Sequence, residues 1–176
     1  ICDVGVIATH TPYKEQILNE LVIAIPDIDL QIWGNQWERC KSSRLIPFIR
    51  RAALNGDLYR QAISSFRINL AIMSGKVIGA SQGDDTTTRT YEIPACGGFM
   101  LHERSTELLE LYEENKEVAC FNGVSELAEK IKHYLVNEEE RKSVAWAGHM
   151  RCVPAYSYDN RMAEIIAYYR KQYKVF

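Results

Sequence analysis

The stretch Gly83-Asp84-Asp85-Thr86-Thr87-Thr88-Arg89-Thr90-Tyr91-Glu92-Ile93-Pro94-Ala95-Cys96-Gly97 holds the densest set of groups able to do chemistry. A helix that starts within Thr86-Thr87-Thr88 turns its unpaired N–H groups and the positive end of its dipole toward the preceding loop, which favours phosphate. Arg89 and Glu92 are three apart and share one face of that helix. A guanidinium fork suits a phosphate, and a carboxylate suits a pair of sugar hydroxyls as a two-oxygen acceptor. Together they would hold a ribose and its diphosphate. The same two residues also fit a plain ion pair on the surface of a capped helix, and spacing alone leaves both readings open.

Other chemistries find no support in the 176 residues. Gly5 stands alone in the first apolar run, without the G-x-G-x-x-G fingerprint of nicotinamide and flavin enzymes, and no G-x-x-x-x-G-K-[ST] phosphate loop occurs. The five cysteines (Cys2, Cys40, Cys96, Cys120, Cys152) never form a C-x-x-C pair and the four histidines are scattered, so neither a metal site nor a disulfide framework is expected. Free thiols point to a reducing compartment, and a cytoplasmic location is expected. The net charge of −2 is spread evenly, with nine basic and nine acidic residues up to Thr88 and twelve and fourteen after it, so no nucleic-acid footprint appears. A local basic cluster, Arg39, Lys41, Arg44, Arg50 and Arg51, reads as a solvated face or as a site for one phosphorylated ligand. The longest apolar run, Leu21 to Ile25 closed by Pro26, is far short of the ~20 residues that span a bilayer, so no transmembrane segment is expected.

The elements that position these residues alternate. Apolar β-branched runs at Cys2–Ala8, Asp29–Trp33, Ile68–Met73, Phe99–His102 and Val118–Phe121 read as strands. Between them, helices are expected from Thr11-Pro12 with Ile17, Leu18, Leu21 and Val22 inward, from Asp57 to Ser65, from Thr86–Thr88 to the Gly97-Gly98 pair, after the capping Ser105, and from Ser125 to Val136. Asn137 with Glu138, Glu139 and Glu140 starts a tail that is expected to be helical throughout, and its last helix carries Met162, Ile165, Ile166 and Tyr169 as an apolar stripe. This alternation predicts an α/β fold, a Rossmann-like, doubly wound parallel sheet with helices on both faces and a helical C-terminal tail. Ligands of such sheets bind beyond the carboxyl ends of the strands.

The run from Arg89 through Glu92-Ile93-Pro94-Ala95-Cys96-Gly97-Gly98-Phe99-Met100-Leu101, followed by an acidic helix to Tyr112, resembles the C-terminal domain of glycosyltransferases of the spore-maturation-protein type. The similarity continues through Phe121, Glu126-Leu127, Arg141, Gly148 and Tyr158-Asp159-Asn160-Arg161, and covers most of the chain. These enzymes belong to the GT-B group, built from two Rossmann-like domains. The resemblance implies that Glu92, in its Glu-x-x-Ala-x-Gly setting, binds the ribose of a nucleotide-sugar donor. Asp84, separated from it by seven intervening residues, takes the place of the glutamate that faces the donor sugar and is the catalytic candidate. His10 and Lys14, after the first strand, stand where the group neutralises the diphosphate, a role that Arg89 and Thr88 would share. The nucleobase is expected against Arg51-Ala52-Ala53-Leu54-Asn55, with Leu54 as the contact; plain core packing is the other reading of that segment. The one Asp-x-Asp triplet, Asp27-Ile28-Asp29, stands at the start of the second strand, away from the carboxyl ends where ligands bind, and no metal or cofactor beyond the donor substrate is expected.

The expected function is thus the donor-binding half of a retaining, metal-independent glycosyltransferase. Residues 1–176 would form one nucleotide-sugar-binding domain, partnered by a nucleoside-diphosphate sugar and a missing N-terminal domain. The opening Ile1-Cys2-Asp3, without an initiator Met, reads as the start of a piece cut from a longer polypeptide. A non-catalytic Rossmann-like module that binds a protein partner is the alternative, and it would bury the Arg89–Glu92 face. A receiver-type signalling domain lacks its acidic pocket, since Thr9 and His10 follow the first strand.

Overall fold

The computed structural model describes residues 2–50, 52–74 and 85–173. Five strands, β1 (Cys2–Ile7), β2 (Leu30–Trp33), β3 (Phe66–Ala71), β4 (Met100–Glu103) and β5 (Ala119–Phe121), form one sheet in the order β2-β1-β3-β4-β5. Every pairing is parallel, with Val4 opposite both Leu30 and Ile68, and Leu101 opposite Leu70 and Ala119. Seven α-helices connect and follow the strands: α1 (Pro12–Ala24), α2 (Gly56–Ser65), α3 (Thr88–Ala95), α4 (Thr106–Leu111), α5 (Val124–Val136), α6 (Glu138–Cys152) and α7 (Tyr158–Tyr173).

Side chains alternate across the strands with period two and so build two cores. Val4, Val6, Leu30, Ile32, Ile68, Leu70, Leu101 and Phe121 pack against Leu18 and Leu21 of α1 and Leu127 and Ile131 of α5. Ala71, Met100 and Cys120 face the other way, onto Ile63 of α2, Ile93 of α3, Leu108 of α4 and Cys152 of α6. Each fully buried aliphatic side chain contributes on the order of 1.5–3 kcal/mol, which is why this pattern decides the fold.

The expected doubly wound sheet is therefore present, with three local differences. Strand β3 begins at Phe66, not Ile68, because α2 runs to Ser65 and passes into the strand with no loop between them. The apolar Leu45–Ala53 segment forms a single 3-10 turn at Ile46–Phe48 and then lies along β2, where the Arg50 amide donates to the Ile32 carbonyl at 2.8 Å and the Gly34 amide to the Ala52 carbonyl at 2.8 Å. The tail is not helical throughout, since turns at Val153–Ser157 separate α6 from α7. The stripe of α7 is also unburied: Met162, Ile165, Ile166 and Tyr169 are 47–59% exposed.

Helix α6 packs closely on the loop before β5. A Cβ on Gly148 would lie 2.3 Å from the Glu117 carbonyl oxygen, a backbone atom that no rotamer change can move away. Gly148→Ala is expected to cost about 1–3 kcal/mol of stability, as overpacking does. Urea unfolding of the two proteins checks this; an unchanged midpoint would show that the helix shifts freely.

Candidate functional site

The carboxyl ends of β1, β2 and β3 open onto one side of the sheet, and the loops there are clamped together. Gly34, just after β2, has φ +127°, and a Cβ on it would sit 2.2 Å from the Ala8 carbonyl oxygen, so only glycine lets the two loops approach this closely. The Ala8 amide donates to the Trp33 carbonyl (2.9 Å), the His10 amide to the Asn35 carbonyl (2.9 Å), and the Trp37 indole to the Ala8 carbonyl (2.8 Å). A rigid floor results.

Helix α3 forms the facing wall. Thr87 is its N-cap in extended conformation, and the Thr90 hydroxyl reaches back to accept the Thr87 amide at 3.0 Å, as in a capping box. Its first amides, on Thr88 and Arg89, have no intrahelical acceptor by their position. Arg89 is only 9% exposed. Its Nη1 donates to the Ile7 carbonyl at 3.3 Å and its Nη2 to the Ile72 carbonyl at 2.8 Å, tying α3 to the ends of β1 and β3. These two strands lie side by side where chain connections run to opposite sides, the switch point at which such sheets bind ligands. The Arg89 Nε is buried without a partner, and no carboxylate forms an ion pair with this guanidinium among the described residues. Burial lowers its affinity for the proton, and the nearby Tyr59 and Glu92 act against that shift. The surface ion pair between Arg89 and Glu92 that the sequence also allowed is not formed.

Between floor and wall lies an open cleft of about 230 Å³, a little under the roughly 300 Å³ at which small-molecule sites begin. Leu54, Thr88, Arg89 and Glu92 all line it, as do Thr9, Asn35 and Tyr59. Glu92 is exposed. Tyr59 of α2 reads from sequence as a packing residue, but its hydroxyl is buried at the cleft without a hydrogen-bond partner; burial, then the neighbouring Glu92 carboxylate, pushes the phenol pKa up. No spacing signal in α2 distinguishes Tyr59 from a core tyrosine.

Two other expected donor residues, His10 and Lys14, are not among those that line this cleft. The His10 ring packs edge-on against Trp37 at 5.0 Å and pairs with Glu15 at 2.7 Å. Glu15 also accepts the Lys41 and Ser42 amides at 2.7 and 2.8 Å; burial opposes its charge, yet these bonds and His10 outweigh it and hold the carboxyl below its usual range. Lys14 is buried in α1 with Nζ 3.4 Å from the Ser74 hydroxyl. Asp84, the catalytic candidate, lies outside the described residues. Of the basic cluster, Arg39, Lys41, Arg44 and Arg50 are exposed, and Arg39 and Arg50 are engaged by the Gln36 side chain and the Pro47 carbonyl, as on a solvated face.

The sequence reading also passed over the polar end of β4. Glu103 accepts the Met73 amide at 2.9 Å and the Tyr13 hydroxyl, joining β3, β4 and α1 at the carboxyl edge of the sheet. His102, fully buried, lies beneath α3. Two polar residues closing an apolar strand at that edge were the available signal.

A parallel doubly wound sheet with a cleft at its switch point, walled by a helix that carries a buried cation, defines a Rossmann-like α/β domain, and comparison with known proteins gives its family. Residues 13–167 match the family described as "Glycosyl transferase-like", and the chain belongs to that family. Among solved structures it is similar to HepE of Anabaena in complex with UDP-glucose, with a TM-score of 0.70 at 14% identity over 93% of this chain and 48% of HepE. It is also similar to the C-terminal domain of a group 1 glycosyl transferase, LpcC, from Francisella tularensis, with a TM-score of 0.62 at 12% identity over 89% of this chain and 87% of that domain. The spore protein CgeB of Bacillus subtilis (strain 168) is 29% identical over 79 residues, 45% of this chain and 23% of CgeB. The chain thus spans about half of HepE, and its fold is that of the C-terminal domain of GT-B glycosyltransferases. No helix among the described residues is long and apolar enough to cross a membrane, and no cluster of His, Cys, Asp or Glu among them would hold a metal ion.

Proposed function

We propose that this chain is the donor-binding half of a retaining, metal-independent glycosyltransferase that uses a nucleoside-diphosphate sugar. One observation carries the reading: a buried Arg89 cation with no carboxylate partner among the described residues sits with the α3 N-terminus and the Glu92 carboxylate at one cleft over the β1–β3 switch point. An uncompensated buried charge is costly, and an anionic ligand would compensate it. Glu92 binds the ribose hydroxyls, Leu54 lies against the nucleobase, and Arg89 with the Thr88 and Arg89 amides faces the diphosphate. Asp84, which precedes α3 in the sequence, is the catalytic candidate that would face the donor sugar.

In the transfer, the bond between the anomeric carbon and the leaving phosphate oxygen breaks, its electron pair stays with the nucleoside diphosphate, and the acceptor oxygen takes its place on the sugar. The acceptor proton leaves with the departing phosphate. Arg89 and the α3 dipole stabilise the negative charge that grows on that phosphate, a task that a metal ion performs elsewhere. The exposed stripe of α7 together with Tyr168 and Tyr173 would pack on an N-terminal domain, which would supply most acceptor contacts, so the chain alone should turn over little. The similarity to HepE, solved with UDP-glucose, supports the choice of UDP as first ligand.

Calorimetry with UDP, GDP, ADP and CDP and their sugars tests the proposal. One of them should bind and raise the melting temperature, and Glu92→Ala should remove the effect without lowering the melting temperature of the free domain, since Glu92 is exposed. If none shifts the melting curve at millimolar concentration, the assignment fails.

A further inference from the structure

A chain of polar groups that takes no direct part in donor binding runs from the end of β4 to α3. His102 and Thr90 are both 0% exposed, in the middle of the interface between β4 and α3. The His102 Nδ1 lies 2.6 Å from the Glu103 carbonyl oxygen, which can only accept, so Nδ1 carries the proton and Nε2 is left as an acceptor. Nε2 lies 2.9 Å from the Thr90 hydroxyl, which must therefore donate to it. The same hydroxyl oxygen accepts the Thr87 amide at 3.0 Å. Each donor has one acceptor, so the order of the chain is fixed from the end of β4 to the N-cap of α3. The Thr90 carbonyl is held independently, by the Tyr112 hydroxyl at 3.0 Å.

The neighbouring residue does a matching job on the other face of the strand. Glu103 accepts the Met73 amide, next to Ile72, whose carbonyl anchors Arg89. The last two residues of β4 therefore set both partners of the presumed diphosphate: His102 sets the turn that presents the Thr88 and Arg89 amides, and Glu103 sets the backbone that holds the Arg89 fork. An apolar residue would fill the space beneath α3 equally well. A histidine locked in one tautomer there orients a hydroxyl, which packing alone does not need.

We propose that His102 is a positioning residue that, through the Thr90 hydroxyl, fixes the α3 N-terminal turn in the geometry that binds the diphosphate of the donor. This rests on the donor-binding reading above. The test compares the affinities of UDP and of uridine by calorimetry in the wild-type chain and in Thr90→Val, Thr90→Ser and His102→Phe. The ratio of the two affinities isolates the diphosphate part of binding, which a merely structural role would leave unchanged in a folded variant. The wild type should favour UDP. Thr90→Val, of the same shape without the hydroxyl, should lower the ratio by about tenfold or more, as small misplacements of a binding group do. Thr90→Ser should restore it to within about twofold. His102→Phe, which leaves the hydroxyl without its acceptor, should lower it in the same direction and keeps the test open if Thr90→Val does not fold. If wild type favours UDP and His102→Phe or a folded Thr90→Val keeps the same ratio, the positioning role is overturned while donor binding stands. If the wild type does not bind UDP more tightly than uridine, the donor reading fails and this proposal falls with it.

Discussion

Replacing Arg89 with methionine should abolish the stabilisation that a nucleoside diphosphate gives, and yet cost the free domain little. Arg89 is 9% exposed, and among the described residues its guanidinium meets the carbonyl oxygens of Ile7 and Ile72 and no carboxylate ion pair. Two bonds from a charged donor contribute about 1.5–3 kcal/mol each, whereas removing the ion from water costs several kcal/mol. Methionine fills most of the volume and carries neither effect, so the stability of the free domain should stay within about 2 kcal/mol of wild type. The ligand has no such offset. Losing a buried cation that faces its diphosphate should cost on the order of 2–5 kcal/mol, upwards of roughly thirtyfold in affinity. Melting curves with and without UDP check both parts. A variant that fails to fold would mark Arg89 as a structural tie between α3 and the sheet; a variant that keeps the ligand-induced shift would remove Arg89 from the site.

The parts of this site that were legible in the sequence are those fixed by local rules. The Thr86-Thr87-Thr88 run announces a helix start, and α3 begins at Thr88. Thr11-Pro12 announces another, and the Thr11 hydroxyl does accept the Lys14 amide at 3.2 Å. Arg89 and Glu92 share a helix face, and both reach one cleft. Helical phase also accounts for the burial of Lys14: 14, 17, 18 and 21 fall on one stripe, so the apolar face that buries Ile17, Leu18 and Leu21 takes Lys14 inward with it. His10 could not be placed this way. It precedes the helix, and its partners are Trp37, which comes from beyond β2, and Glu15.

What stayed hidden depends on contacts distant in sequence. Period two places His102 on the Met100 side of β4, but nothing local says that Thr90 stands opposite it. The order β2-β1-β3-β4-β5, which puts the switch point under Arg89, follows from which helix crosses which face and has no signature in any one segment. Helix α7 is the converse case. Its stripe is legible as amphipathic, but no surface among the described residues covers it, so the pattern marks a face without naming what it meets.

Acid should destabilise this domain through His102 before most carboxylates respond. Burial lowers the pKa of the ring, the bond to the Glu103 carbonyl opposes that, and the Arg89 charge lowers it further, so that it is pushed down from 6.5 to about 4. The unfolded chain binds this proton near pH 6.5, so unfolding takes up a proton at any pH between the two values. Stability from the neutral ring is therefore complete above pH 6.5 and is lost as pH falls toward 4, a total of about 3 kcal/mol from one group. That is a large part of the 5–15 kcal/mol typical of a domain. Glu126, held below its usual range first of all by Arg104, and Glu15 act in the same direction, but only as pH falls below the ordinary carboxyl range near 4.5. The interval from pH 6.5 to 4.5 thus separates the two kinds of group. Urea unfolding across it should show the wild type losing stability with a slope approaching one proton, and His102→Phe losing much less, whatever its stability at pH 7. Equal slopes would mean that the ring accepts a proton in place. In that case the Thr90 hydroxyl would have to turn away from Nε2, and the locked order of hydrogen bonds from β4 to the start of α3 would not hold.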